Sequence, residues 1–150
     1  MLLDKIKALS QQYASEVVSW RRHLHEHPEL SYHDFETVKY VEAQLRQFGL
    51  PVTPMATTGL VVNIEGKNPS KKTVALRADM DALPITEANE VSYKSKNKGV
   101  MHACGHDVHT SSVLGTAKIL HELRNEFEGT IRILFQPGEE KNPGGASYMI

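Results

Sequence analysis

The sequence predicts an α/β fold, a mostly parallel or mixed sheet flanked by helices. Three observations lead there. Apolar residues recur at helical spacing in three stretches of the chain. Short apolar, β-rich runs bounded by Gly, Pro and Asn lie among them. Helices alternate with these strands, the pattern of a sheet whose strands are joined by crossover helices. The chain has 150 residues, 40% hydrophobic and 23% charged, enough for one globular unit with a real core.

The first helix spans roughly Leu3 to Arg22, with Ile6, Leu9, Tyr13, Val17 and Trp20 on one face. Pro28 stops its propagation. Ser31 and Asp34 are candidate N-caps of a second helix, which places Phe35, Val38, Val41, Leu45 and Phe48 on its inner face and ends at Gly49. Gly59 to Ile64 reads as a strand, Asn68-Pro69-Ser70 as a turn, and Thr73 to Ala78 as a second strand. That second run is mostly apolar, as in a strand covered on both faces. Asp79 to Val100 is polar and lacks periodicity, and long loops of this kind inside a domain are often functional. A third helix spans Val108 to Asn125, with Val113, Ala117, Leu120 and Leu123 facing inward, and Gly129 to Gln136 is a third strand. Gly144-Gly145 opens a segment that reads as a helix start cut at Ile150, so the sequence reads as an N-terminal piece of a longer protein.

Charge and composition narrow the function. The formal net charge is −1, with no basic excess for nucleic acid. No segment approaches a membrane span, and Asp4, Lys5 and Lys7 interrupt any signal-peptide core, which points to the cytoplasm. One cysteine, Cys104, rules out an internal disulfide and invites a metal or catalytic reading. Seven of the eight histidines fall in two groups, His23, His25, His27 and His33, then His102, His106 and His109.

Sites in open α/β sheets form at the carboxyl ends of strands. Asp79 and Asp81 follow the second strand, Glu139 and Glu140 follow the third, and Cys104-Gly105-His106 opens the helix between. Thiolate and imidazole both bind zinc-like ions, and Gly105 lets the backbone turn both toward one point. A helix N-terminus favours a thiolate. A Cys-x-His alone is more often a small buried thiol beside a surface imidazole; the neighbouring acids reverse that reading. Glu139 and Glu140 are either solvated turn charges or a pair that divides labour, one on a metal and one as general base. Asp79 and Asp81 alternate on an extended segment and face one way, so either can orient a ligating His, or serve a turn or N-cap. His23 and His27 share a helix face without His25, and the order is not His-Glu-x-x-His. This cluster reads as a helix end packing near the site, with no metal role.

At these residues the sequence resembles the co-catalytic metallopeptidase family of aminoacylases and carboxypeptidases. The branch is that of N-acyl-amino-acid amidohydrolases, with hippurate hydrolases, auxin-conjugate hydrolases and N-acetyl-diaminopimelate deacetylases. The stretches that carry the resemblance are Arg21 to His25 with Pro28-Glu29-Leu30, Ala75 to Pro84, Met101 to His109, and Phe135 to Glu140 with Gly144-Gly145-Ala146. The resemblance implies a phosphorylase/hydrolase-like catalytic domain, with residues 1–150 as its N-terminal part. The remaining catalytic segment and a dimerisation or lid domain would lie beyond residue 150, and the full-length protein would be a homodimer. It also implies two divalent metal ions (zinc, manganese, nickel or cobalt), with Cys104 bridging them, His106 on one and Glu140 on the other. Glu139 would be the general base and Asp81 the acid behind a ligating His. The wider family has a His ligand where this chain has Asp79, so that role is not carried over, and His102 and His109 receive none.

The implied reaction is hydrolysis of the amide bond of an N-acyl amino acid or small peptide-like substrate by metal-activated water. The isolated 150 residues, lacking the later ligands, are expected to be inactive. Two rivals differ in class. One is a hydrolase with Cys104 as nucleophile. The other is a truncated, non-catalytic metal-binding module.

Overall fold

α1 (Leu2–Glu26) carries the predicted apolar stripe and continues to the residue before His27, just short of Pro28. Only Trp20, Leu24 and His25 are buried on it; the rest of its inner side is half-covered by the third helix. The computed structural model describes residues 1–150. α2 (Phe35–Gln47) has Asp34 as N-cap and stops at Gly49, whose φ of 82° is the usual helix-ending conformation. It buries Val41 and Leu45 completely, but Phe35, predicted to face inward, is exposed.

Four strands follow: β1 (Val52–Met55), β2 (Gly59–Glu65), β3 (Thr73–Asp79) and β4 (Thr130–Gln136). α3 (His106–Glu122) lies between β3 and β4. The sheet is mixed, in the order β1-β2-β4-β3. β3 and β4 are parallel, with Ala78 opposite Phe135; β2 and β4 are antiparallel, as are β1 and β2. β1 was not legible in the sequence because it is short and contains Pro54. It sits at the sheet edge, where a residue without an N–H is tolerated. β3 forms the other edge and is not covered on both faces: Thr73, Val74 and Ala75 are exposed, and only Ala78 and Asp79 are buried.

α2 and α3 pack on the sheet and on each other, and α1 lies across α3. The crossing is close at Gly115, where an added Cβ would sit 2.7 Å from Val17 Cγ2. Phe135, Ile133, Leu60, Ile64, Leu45 and Leu114 form the centre of the core. Burial of such side chains stabilises the fold by about 1.5–3 kcal/mol each. No helix is long and apolar enough to cross a membrane.

The parallel β3–α3–β4 unit fixes the site. Both strands end at one edge of the sheet, and α3 begins there. The polar segment after β3 is tied down rather than free. Ala82 N–H donates to the Glu29 carbonyl (2.8 Å), and Leu83 and Met101 exchange backbone hydrogen bonds of 3.0 Å.

Candidate metal centre

His106 is the first residue of α3, and Gly105 before it has a φ of 105°, a conformation that disfavours a side chain. The helix starts two residues earlier than its apolar pattern suggests, which brings His106 inside the first turn. The imidazole is buried. Its Nδ1–H donates to the Asp81 carbonyl at 2.8 Å, and the Asp81 Oδ1 lies beside it at 3.2 Å. Nδ1 therefore carries a proton, and Nε2 is the nitrogen left facing the glutamates, where a cation would displace its proton. Burial alone would lower the pKa of His106, but the carboxylate and carbonyl of Asp81 raise it to about 8.

Asp81 is fixed in turn. Its Oδ2 accepts from Ser31 Oγ (2.6 Å) and from the Glu140 N–H (3.0 Å). Burial works to raise its pKa, and these donors together with His106 override that and hold it at about 2. The same hydrogen bond to the Glu140 backbone links the turn after β4 to the end of β3.

The Nε2 of His106 faces Glu140 Oε1 at 3.8 Å and Glu139 Oε2 at 3.9 Å. A sulfur, a nitrogen and a carboxylate oxygen of Cys104, His106 and Glu140 all lie within 4.8 Å of one another. Glu140 Oε1 is buried and has no hydrogen-bond partner. Three donor atoms of soft, intermediate and hard character converge, one of them an orphaned carboxylate oxygen. This set fits a divalent cation. Glu139 stands beside it, the more exposed of the two glutamates.

Cys104 differs from expectation. The helix start was expected to favour a thiolate. Instead burial, and then Glu140, Glu139 and Asp79, push the thiol pKa up. The carboxylates around it outweigh the helix dipole, so without a cation the sulfur keeps its proton. Such a thiol is a poor nucleophile and a good latent ligand.

Asp79 and Asp81 both approach His106, as their alternation predicts. Asp79 also lies 3.4 Å from His109 Nδ1 and 3.3 Å from Arg77 Nη1. Asp79, His106 and His109 form a second potential ligand group, but it shares the His106 imidazole with the first. The Arg77 cation beside it further disfavours a metal there. His102 is buried, and burial lowers its pKa to about 4, so it is neutral.

The histidines of α1 divide. His23 stacks on Tyr40 of α2 (3.9 Å between ring centres) and neighbours His27 (4.5 Å), a packing role as the sequence suggests. His25 turns the other way and is hydrogen-bonded to Asp107 (2.7 Å) and Glu87 (2.9 Å). Sequence reasoning missed this trio. Asp107 lay within the Cys-Gly-His-Asp stretch, but Glu87 sits in a featureless polar loop and gave no signal.

The profile of the peptidase family M20/M25/M40 matches residues 75–150. The chain is 48% identical over 151 residues to an N-acyl-L-amino acid amidohydrolase of Geobacillus stearothermophilus, covering 100% of this chain and 40% of that protein. It is 46% identical over 152 residues to thermostable carboxypeptidase 2 of Saccharolobus solfataricus, covering 99% of this chain and 38% of the relative. Among solved structures it matches the Bacillus subtilis YXEP protein, a dinuclear metal-binding peptidase of the M20 family. The TM-score is 0.83 at 41% identity, over 89% of this chain and 38% of that one. The chain is therefore a member of the M20/M25/M40 peptidase family. It spans about two fifths of the length of the relatives it matches.

Proposed function

We propose that this chain supplies half of a two-metal centre that hydrolyses the amide bond of N-acyl amino acids or short peptides. The observation that carries the reading is the convergence of Cys104, His106 and Glu140 within 4.8 Å, with Glu139 beside them. In this reading Cys104, His106 and Glu140 would hold the divalent ions, Cys104 being shared between them. Such ions polarise a scissile carbonyl and make water acidic enough to attack at neutral pH. Asp81 keeps a proton on His106 Nδ1, so that Nε2 is the nitrogen that would give up its proton to a metal. The Glu139 carboxylate takes the proton of the attacking water and returns it to the amide nitrogen as the bond breaks. Glu139 suits the task because its neighbour Glu140 would be committed to the metal, while it remains the more exposed of the two.

The names of the relatives support the substrate class: one cleaves N-acyl-L-amino acids and another is a carboxypeptidase. The mixed sulfur, nitrogen and oxygen donors suit zinc, manganese, nickel or cobalt. Three ligands are too few for two ions, so residues 1–150 act as the N-terminal part of a larger catalytic unit, which we take to be a cytoplasmic homodimer. Its partner is a small-molecule substrate rather than nucleic acid or a membrane.

In the intact protein, Glu139→Gln is expected to bind Co2+ as the wild type does and to lose turnover of an N-acyl amino acid by about 10²–10⁴-fold. Full activity in that variant would sink the assignment. A chelator distinguishes the thiol rival, since a Cys104 nucleophile would survive metal removal.

A further inference from the structure

We infer that His25 and Glu87 are positioning residues of the metal centre, acting through Asp107 to clamp the first turn of α3 in the orientation that aims His106. This rests on the metal-centre reading above and adds to it residues from two other parts of the chain.

The first turn of α3 begins without a cap of its own. Gly105 has no side chain to supply one. Asp107 is held from outside instead. Its Oδ2 accepts from His25 Nδ1 at 2.7 Å and lies 2.8 Å from Arg21 Nε, an ion pair whose N–H points off the oxygen. The other ring nitrogen of His25, Nε2, meets Glu87 Oε1 at 2.9 Å. Glu87 is tied to its own loop through the Ser95 N–H (2.7 Å) and Asn89 Nδ2 (3.2 Å). Both ring nitrogens face carboxylate oxygens, which only accept, so both donate. With Arg21, two cations balance two carboxylates. The side chains of Asp107, Glu87 and His25 are 0%, 2% and 4% exposed.

A buried network of this kind is costly unless fully paired, and pairing makes it rigid. Its placement gives the rigidity a use. His106 and Asp107 are consecutive, so their side chains leave the helix about 100° apart. Asp81, at the end of β3, holds His106. His25, at the end of α1, holds Asp107. The two anchors pull on adjacent residues from different elements, and the turn between them cannot rotate. Glu87 completes the clamp by fixing the ring of His25 from the loop side. Loss of a group that orients a metal ligand from behind weakens metal binding about 10–100-fold.

The test titrates Co2+ into the intact metal-free protein and follows the thiolate-to-cobalt absorption that reports Cys104. His25→Ala is expected to weaken Co2+ binding about 10–100-fold. Glu87→Gln, which keeps side-chain volume, is expected to weaken it less and covers the case in which His25→Ala does not fold. The double variant should be no weaker than His25→Ala alone, because both act through one clamp. Leu45→Ala, in the core outside the network, should lower stability and leave Co2+ affinity unchanged. Wild-type Co2+ affinity in folded His25→Ala or, if that variant does not fold, in Glu87→Gln, or an equal loss in Leu45→Ala, would overturn the inference. Cys104→Ala, which lacks the thiolate band and is therefore titrated with Co2+ by calorimetry alongside the wild type, separates this from the parent reading. If that variant binds Co2+ normally the metal centre itself is wrong. If it loses Co2+ while folded His25→Ala retains it, only the clamp is wrong.

Discussion

Replacing Asp34 by Asn should stabilise this protein at neutral pH and not in acid. Asp34 precedes α2, is completely buried, and neither carboxylate oxygen has a hydrogen-bond partner. Burial raises its pKa from an ordinary 3.8 to about 6, against a smaller opposing effect of the neighbouring Thr58 hydroxyl. The folded pKa lies above the unfolded one, so the native state holds the proton more tightly. The contribution of the protonated group to stability is thus complete below about pH 4 and is lost as pH rises through 6. At about 1.4 kcal/mol per tenfold in proton affinity, the ionised group costs the native state about 3 kcal/mol at pH 7.5. At pH 4, close to the unfolded pKa, almost all of that cost is gone. Asn has the same shape, carries no charge and can donate to the buried Thr58 oxygen. Denaturant unfolding of both proteins at pH 4 and pH 7.5 should show the Asn variant gaining about 2–3 kcal/mol on the wild type between the two. An Asp34→Asn difference that does not change with pH would refute the argument. It would mean that Asp34 is solvated or paired in solution.

Three further outcomes follow from the same geometry. The raised thiol pKa predicts that Cys104 in metal-free protein reacts with iodoacetamide more slowly at pH 7.5 than a free cysteine does. The rate should climb with pH, and Zn2+ should protect the thiol; fast alkylation at neutral pH would contradict the carboxylate environment. Gly105→Ala places a side chain at a φ of 105°, and the strain should cost about 1–3 kcal/mol, read as a lowered melting temperature, and weaken Co2+ binding because Cys104 and His106 flank the turn. Phe135→Ala removes the largest fully buried side chain and should cost about 3–5 kcal/mol in chemical denaturation.

The helix and strand periods were legible from local pattern alone. The stripe of α1 is half-covered along its length, and the strand at Gly59 and the strand before Pro137 bury most of their apolar residues. The candidate site was legible for a related reason. Cys104, His106, Glu139 and Glu140 sit in compact segments placed directly after strands or before a helix. What failed were features set by neighbours distant in the sequence. Phe35 fits the apolar period of α2 but is left about half exposed at its first turn. β1 exists because β2 offers it an edge. The Cys104 thiol follows the acids that the fold gathers around it rather than the helix dipole.

By itself, then, the sequence determined the α/β class, the order of most elements and which side chains were candidates for the centre, because periodicity and side-chain chemistry are local properties. Only the tertiary structure decided the pairing order of the sheet, the proton position on His106 and the joining of His25 to Glu87 and Asp107. These depend on which distant groups meet in a buried, weakly screened space, and there a carboxylate a few ångströms away outweighs any local preference.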